Sequence, residues 1–493
     1  MLGNKKNTGR YTIVQMKNEI EGFTFFSFWT PKYTLTNILK QTEAKQMSVL
    51  ILGGSISGLL SAAALCKHAD LITIIEKDEQ EHELTGKKGT PQDVHVHGLV
   101  EAGRVCMEKI LPGFTKCLIK NGARAIDRTK DFHWFRDGWQ VEYESGSLFH
   151  ITSRPVYEKT IRELVLEKLK DKLVIRYNTR VTDYLFSSSG SEKVEGIVLA
   201  NGETLKADLV IDAMGRTSQT ESWLSAHGYE SPEVTRVNIN LSYASNIYEF
   251  NEDVDVQDGL LIIGTEKSKK GAGVVRLNPE SIPIPNRARE NKKYMIFSLY
   301  GYHDEQPMCR SNNEFTEFAA SLPTDEIVNL LKKGTPLYES PKSFTVPAQT
   351  WKRYEKFSSH EFPKNFLAVG DSIVSLNPTF GQGMATAARH AFVLFQNSEK
   401  ILKRKTSTFA IQKKLAAKIW LPFMMNAMDD TKWSETTGYK PPMAHTGQRF
   451  MNKAFNAGKT NSKVMTTLLQ IAQLEVSPAN ILRPDVFFSI MIH

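Results

Sequence analysis

Residues 48–58 read Ser-Val-Leu-Ile-Leu-Gly-Gly-Ser-Ile-Ser-Gly, and this stretch decides the fold. Ser48 to Leu52 is a continuous apolar run of strand length, as expected for a parallel strand covered on both faces. Gly53 to Gly58 form a turn before an Ala/Leu-rich helical stretch over Leu59 to His68. A second apolar strand, Leu71 to Ile75, ends at Glu76, with Lys77 beside it. The unit follows the dinucleotide pattern Gly-x-Gly-x-x-Gly, except that Ser55 stands at the second glycine. Gly53 allows the tight turn and Gly58 the close packing of helix on strand. Ser55 is small enough for backbone to approach a pyrophosphate, and its hydroxyl can donate to it; Gly54 and Ser57 in the same turn are cofactor-binding candidates with it. The helix N-terminus adds unpaired N–H groups. Glu76 lies close to the spacing of about 20 residues at which a carboxylate receives ribose hydroxyls.

A second glycine-punctuated crossing occurs far downstream. Phe366-Leu367-Ala368-Val369 is a buried strand that runs into Gly370-Asp371-Ser372. Pro378-Thr379-Phe380-Gly381-Gln382-Gly383-Met384 then leads into an Ala-rich helix from Ala385. Asp371 can hold a ribityl hydroxyl. Pro378 shapes the turn, and Gly381 and Gly383 expose backbone N–H groups at a helix start, which favours the anionic edge of a reduced flavin.

Between the crossings, Arg154-Pro155 opens a helix with Ile161, Leu164, Val165 and Leu169 at helical spacing. Asn201-Gly202 is a hairpin signal between Val194–Ala200 and Thr204–Ala207. Leu209-Val210-Ile211 is another buried strand, followed by Asp212-Ala213-Met214-Gly215. Over about 235–350, alternating segments (Val237 to Tyr243, Leu260 to Gly264, Tyr294 to Tyr300) predict a mainly antiparallel sheet. The last ~95 residues read as helical with several breaks.

The chain has 493 residues, 41% hydrophobic and 24% charged, which is ordinary for a globular protein of two or three structural units. A net charge of +8 in short lysine runs points to a solvated surface rather than to nucleic acid. Cys66, Cys106, Cys117 and Cys309 form no Cys-x-x-Cys pair, so neither a zinc knuckle nor a disulfide scaffold is expected. A reducing, cytoplasmic setting is the natural reading. No run of about 18 apolar residues occurs. Ile419 to Met425 suits a core segment better than an interfacial one, so peripheral membrane contact has no real support. Residues 1–46 are polar and basic with a cluster of aromatics, and read as an appendage before Met47, either a poorly ordered arm or an upstream extension of the reading frame, with a transit-like role as the runner-up. His95 and His97 lack a carboxylate or cysteine partner, so no metal site is expected. Asp429-Asp430 reads as a solvated helix end.

The two crossings together resemble the FAD-dependent aromatic hydroxylase superfamily (p-hydroxybenzoate hydroxylase-like). They are most similar to a branch of squalene-epoxidase-like and polyether-epoxidase-like flavoproteins. Gly89 to His97, Ser153-Arg154-Pro155, Asp212 to Ser218 and Trp223 to Tyr229 resemble that branch too. The resemblance covers roughly 48–485. It implies an α/β fold: a Rossmann-like FAD-binding domain with an inserted, mainly antiparallel β-sheet substrate domain and a helical C-terminal region. The implied division is 1–46 extension, 47–125 FAD-binding, 126–152 substrate-domain strands, 153–225 FAD-binding, 226–362 substrate domain, 363–398 FAD-binding and 399–493 helical.

Residue by residue, the resemblance implies that Arg154 contacts the flavin or its phosphates and that the Val181 backbone lies beside adenine. Asp371, after Gly370, would bind the ribityl and phosphate region. Gly381 to Met384 would line the isoalloxazine ring. The implied activity is an FAD-dependent monooxygenase. It takes O₂ and a small-molecule substrate and inserts one oxygen atom into an apolar or aromatic compound, by hydroxylation or epoxidation, through a flavin C4a-hydroperoxide. No catalytic side chain is assigned. Related hydroxylases carry Asp-Gly-x-x-Ser where this chain reads Met214-Gly215-Arg216-Thr217-Ser218, with the carboxylate two residues earlier at Asp212. The electron donor is therefore left open between NAD(P)H and a separate flavin reductase. Tyr243, Tyr248, Phe297, Tyr300 and Tyr302 either line an apolar pocket or serve as plain core aromatics. Two other readings stay open: a flavin-dependent reductase or dehydrogenase acting on isoprenoid double bonds, and a non-catalytic flavin-binding protein. A flavin-dependent halogenase is disfavoured, because no Trp-x-Trp-x-Ile-Pro run occurs.

Overall fold

Five short apolar strands form a parallel sheet in the order Phe366–Ala368, Leu209–Asp212, Ser48–Leu52, Leu71–Ile75, Leu173–Arg176. Ser48–Leu52 lies at its centre, so the strand that opens the sequence motif is also the one flanked on both sides. Val49, Leu50, Ile51 and Leu52 are all buried. The computed structural model describes residues 46–80, 84, 91–187, 193–284, 291–358 and 360–492. The expected extension over 1–46 lies outside the described residues except for Gln46, as do Gly89 and Thr90. The unit Met47–His493 is the one considered below.

The Ile56–Leu65 helix follows the first strand, and its Ala62, Ala63 and Ala64 are buried. Such small side chains let it pack closely on the long Gly383–Leu402 helix, whose Ala385, Ala388 and Ala391 are buried in turn. Helices from the two distant crossings are thereby held together by an alanine-rich seam, where enlarging a side chain costs about 1–3 kcal/mol. The Arg154–Leu169 helix carries Pro155 in its first turn, as the sequence predicts.

A nine-stranded sheet stands apart from the parallel one. Its path runs Val374–Ser375, Lys342–Lys352, Val234–Asn251, Lys292–Tyr302, Lys270–Leu277, Gly259–Ile262, Phe132–Phe135, and Thr335–Pro336 and Thr437–Gly438 also pair with the long Val234–Asn251 strand. All pairs are antiparallel except Phe132–Phe135 on Gly259–Ile262. Val374–Ser375 immediately follows the Gly370–Ser372 turn, so this sheet is tied to the second glycine crossing. Leu148–Ile151 joins a separate three-stranded sheet with Gly98–Leu99 and Arg124–Asp127.

Helices Thr408–Asp430, Ala444–Gly458, Ser462–Ala472 and Pro484–Ile492 make up most of the C-terminal region. The Ile419–Met425 run lies inside the first of these, around Pro422. Among the described residues, no helix is long and apolar enough to cross a membrane.

Candidate functional site

One cavity of about 1750 Å³ runs from the parallel sheet to the nine-stranded sheet. Both glycine crossings open onto it. Gly53, Ser55, Ser57, Glu76 and Lys77 lie on its wall at one end, and Arg154, Val181 and Gly215 lie alongside. Asp371, Pro378, Gly381, Gly383 and Met384 also line it. The remaining sequence candidates, Gly54, Gly58 and Gly370, are framework positions. A Cβ on Gly58 would fall 1.9 Å from the Gly53 carbonyl oxygen, and one on Gly54 would meet Glu76.

Gly53 has φ +106°, and a Cβ there would stand 2.4 Å from the Ala213 carbonyl oxygen. No larger residue fits this turn. Buried Glu76 accepts the Gly54 N–H at 2.8 Å and the Asp78 N–H at 3.0 Å, one on each carboxylate oxygen. Each oxygen keeps acceptor capacity for a ligand hydroxyl. Ser55 precedes the Ile56–Leu65 helix with no side-chain cap, so the first N–H groups of that helix are left for an anion.

The Ser55 hydroxyl is used differently from the sequence expectation. Its proton goes to Glu158 at 2.6 Å, and its oxygen accepts from Arg154 at 2.9 Å. Arg154 also pairs with buried Asp93 and with Glu158. Arg162 reaches both Glu158, at 2.7 Å, and the Gly54 carbonyl, at 3.0 Å. Arg154, Glu158 and Arg162 on the helix behind it, with Asp93 from the Pro91–Val94 turn, thus brace the turn. Removing one partner of such a buried pair costs about 3–5 kcal/mol.

Asp212 is fully buried and ties the two crossings together. It accepts from the Met214 N–H, Ser218, Thr220 and Ser372 at 2.6–2.9 Å. Ser372 in turn accepts the Gly215 N–H at 2.9 Å. The displaced carboxylate is therefore a clamp between the Asp212–Gly215 and Gly370–Ser372 turns. Asp371 is half-exposed at the cavity and faces Arg216 at 3.3 Å. Gly370 takes φ +59° and its N–H is held by Nδ1 of buried His390 at 3.0 Å. Burial, followed by the Arg389 charge, lowers the His390 pKa to about 3 and keeps that nitrogen an acceptor.

The Gly383–Leu402 helix begins beside Gly381, at φ +64°, and its capping residue Gln382 makes no side-chain cap. A Cβ on Gly383 would meet nothing within 4 Å, so the backbone there faces open cavity. Asn377 accepts the Thr379 N–H at 3.0 Å and orients this turn.

The nine-stranded sheet roofs the cavity. Tyr243, Tyr300 and Tyr302 line it, but Tyr248 and Phe297 do not. They pack in a separate core with Phe315, because strand alternation turns them to the opposite face. Tyr300 donates to the Ile262 carbonyl and Tyr302 bonds Thr379, whereas the Tyr243 hydroxyl has no partner among the described residues. His95 is buried between Tyr243 and Phe344, with Nδ1 on Ser245 at 2.6 Å. Burial, then His97, lowers the His95 pKa to about 3; burial, then Arg154, lowers that of His97 to about 4. Both are neutral, and no metal-binding group of three or more His, Cys, Asp or Glu occurs among the described residues.

The far wall was not legible in the sequence. Met424, Met425, Met428 and Met451 line it beside Phe455 and Leu468. Flexible thioethers of this kind fit irregular apolar ligands. The only sequence signal is the crowding of methionines over 424–428. Asp429-Asp430 is not a solvated helix end. Asp430 is fully buried and accepts from Asn377 at 2.6 Å and Gln349 at 3.0 Å. Burial and neighbouring Asp429 raise its pKa well above the usual range. Asp429 is held low, because Lys432 and Arg136 outweigh the cost of burial.

No family model matches the chain. The chain is 27% identical over 415 residues to Protein Rv3254 of Mycobacterium tuberculosis, covering 80% of this chain and 82% of that protein. It is 24% identical over 366 residues to an FAD-dependent monooxygenase of Aspergillus terreus, covering 71% and 76%. Among solved structures, the flavin-dependent brominase Bmp2 superposes with a TM-score of 0.60 at 12% identity, covering 90% of this chain and 97% of that one. That likeness is one of fold. By curated relatives and by fold together, the chain is similar to FAD-dependent monooxygenases.

Proposed function

We propose that the chain holds FAD along the cavity and inserts one oxygen atom from O₂ into an apolar small molecule lodged under the nine-stranded sheet. The observation that carries this reading is the single cavity onto which both glycine crossings and the apolar roof open. The residues present fit the cofactor. Two uncapped helix N-termini face the cavity, one behind Ser55 and one at Gly383, and each suits an anionic part of an elongated dinucleotide. Open space at Gly383 leaves room for a flat ring against backbone.

Glu76 would receive the adenosine ribose hydroxyls, and the first N–H groups after Ser55 would bind the pyrophosphate. Asp371 would take a ribityl hydroxyl, a role it shares with its contact to Arg216. The N–H groups of Gly383 and Met384 would stabilise negative charge on the ring edge. Bound and reduced, the flavin supplies the activation of O₂ and the transferable oxygen atom. The protein holds the substrate against the ring and keeps water out, through Tyr243, Tyr300, Tyr302, Phe344 and the methionine wall. Neutral His95, buried, and His97, half-buried, add no charge there.

Labelled O₂ tests the reading. With a flavin reductase or NAD(P)H supplying electrons, one labelled atom should appear in the product. Turnover that yields a reduced product without O₂ uptake would replace this reading with a reductase.

A further inference from the structure

Two cations are sealed into the methionine end of the cavity. Arg136 follows the Phe132–Phe135 strand, and Lys432 lies just past the Thr408–Asp430 helix. Their side chains are 8% and 3% exposed, and both residues line the cavity. A buried charge needs a counter-charge and hydrogen bonds. Here they share one carboxylate. Asp429 accepts from Lys432 at 2.6 Å on one oxygen. On its other oxygen it meets both terminal nitrogens of Arg136, at 3.4 and 3.5 Å, which is long for a charge-assisted bond. Arg136 otherwise reaches Asn452 at 3.2 Å and stacks over Phe455 at 4.4 Å; Lys432 rests over Trp433 at 4.2 Å.

The second acid, Asp430, does not line the cavity and is taken up by Asn377 and Gln349. Its raised pKa agrees with its adding no charge to the cluster. Two cations thus face one carboxylate in a wall of Met428, Met451 and Phe455, with Gln448 bonded to the Met428 carbonyl. Burial lowers the Lys432 pKa and Asp429 acts against that; with Lys432 protonated the surplus is positive, and the guanidinium has donor capacity left.

We propose that Arg136 and Lys432 form an anion-holding subsite, and that the substrate is an apolar molecule carrying one ionised acidic oxygen group, a carboxylate or its equivalent. This rests on the cavity being the oxygenation chamber. It also sets the orientation: Asp430 holds Asn377, which orients the Pro378–Phe380 turn, so the anchored end lies close to the turn assigned to the ring.

The test uses the FAD-loaded protein and two probes of one shape, 2-naphthoate and 2-naphthamide, titrated by calorimetry. The parent should bind naphthoate about tenfold more tightly, the scale of one charge-assisted hydrogen bond. Lys432→Gln should erase the preference. Asp429→Asn removes the competing carboxylate and should tighten naphthoate several-fold while leaving naphthamide unchanged. A purely structural ion pair would show no such gain. Equal binding of the two probes by the yellow parent protein, binding of neither, or an Asp429→Asn variant with no gain for naphthoate overturns the subsite and leaves the FAD reading intact. A chain that takes up no FAD overturns both.

Discussion

Ser57 and Gly370, 313 positions apart in the chain, meet side by side: a Cβ on Gly370 would stand 2.2 Å from the Ser57 hydroxyl oxygen. The two glycine crossings are therefore one structure. Gly370→Ala combines that collision with a left-handed φ of +59°, which costs roughly 1–2 kcal/mol by itself. The variant should melt several degrees lower and retain little FAD. Adding Ser57→Gly should relieve the collision and restore part of the flavin content, as read by absorbance. No recovery in the double variant would show that the contact is not limiting.

Asp212 joins the same two turns by accepting four hydrogen bonds in a fully buried site. Asp212→Ala strands Ser218, Thr220 and Ser372, at about 1–3 kcal/mol for each group left unsatisfied. Thermal unfolding should fall sharply and FAD affinity with it. A variant that melts like the parent would remove Asp212 from the clamp.

Much of this architecture is readable in the sequence, because it rests on local rules. Continuous apolar runs mark the parallel strands, and glycines mark the turns whose φ or close contacts exclude a side chain. The network behind the turns is not readable. Asp93, Glu158 and Arg162 surround Ser55 only through folding, and nothing near His390 signals that it holds Gly370. The pocket aromatics divide by strand parity: Tyr300 and Tyr302 face the cavity while Phe297, on the same strand, does not. Asp429 and Asp430 look alike in sequence, yet one meets two cations and the other two amides.

Acid should loosen the fold through two buried histidines, His95 and His390, and half-buried His97. His95 and His390 titrate at about 3 and His97 at about 4, all below the ordinary value of 6.5. Their folded-state values are depressed, so the stability they contribute is complete above pH 6.5 and is lost as pH falls toward 4 and then 3. Urea unfolding should show a falling free energy across that window. His390→Gln should flatten the profile, with an effect on the order of 2 kcal/mol at pH 4. A profile unchanged by the substitution would contradict the assignment.

The Asp127 turn gives a second acid-sensitive element. Although burial acts to raise it, hydrogen bonds from Thr129, Ser145 and Lys130 lower the Asp127 pKa to about 2. This contribution is complete above about pH 4 and is lost as pH falls toward 2. Asp127→Asn should lower stability by about 1–2 kcal/mol at neutral pH, and the difference should shrink in acid. A difference that persists at pH 2 would contradict this cause.

The central claim is that both crossings grip one FAD. The direct measurement is the flavin absorbance of the purified chain after reconstitution, taken for the parent, Glu76→Ala, Asp371→Ala and Gly383→Asp. The parent should bind one FAD per chain, Glu76→Ala should bind it more weakly, and Asp371→Ala and Gly383→Asp should emerge nearly colourless. A parent chain that stays colourless, or an Asp371→Ala protein as yellow as the parent, would contradict the account.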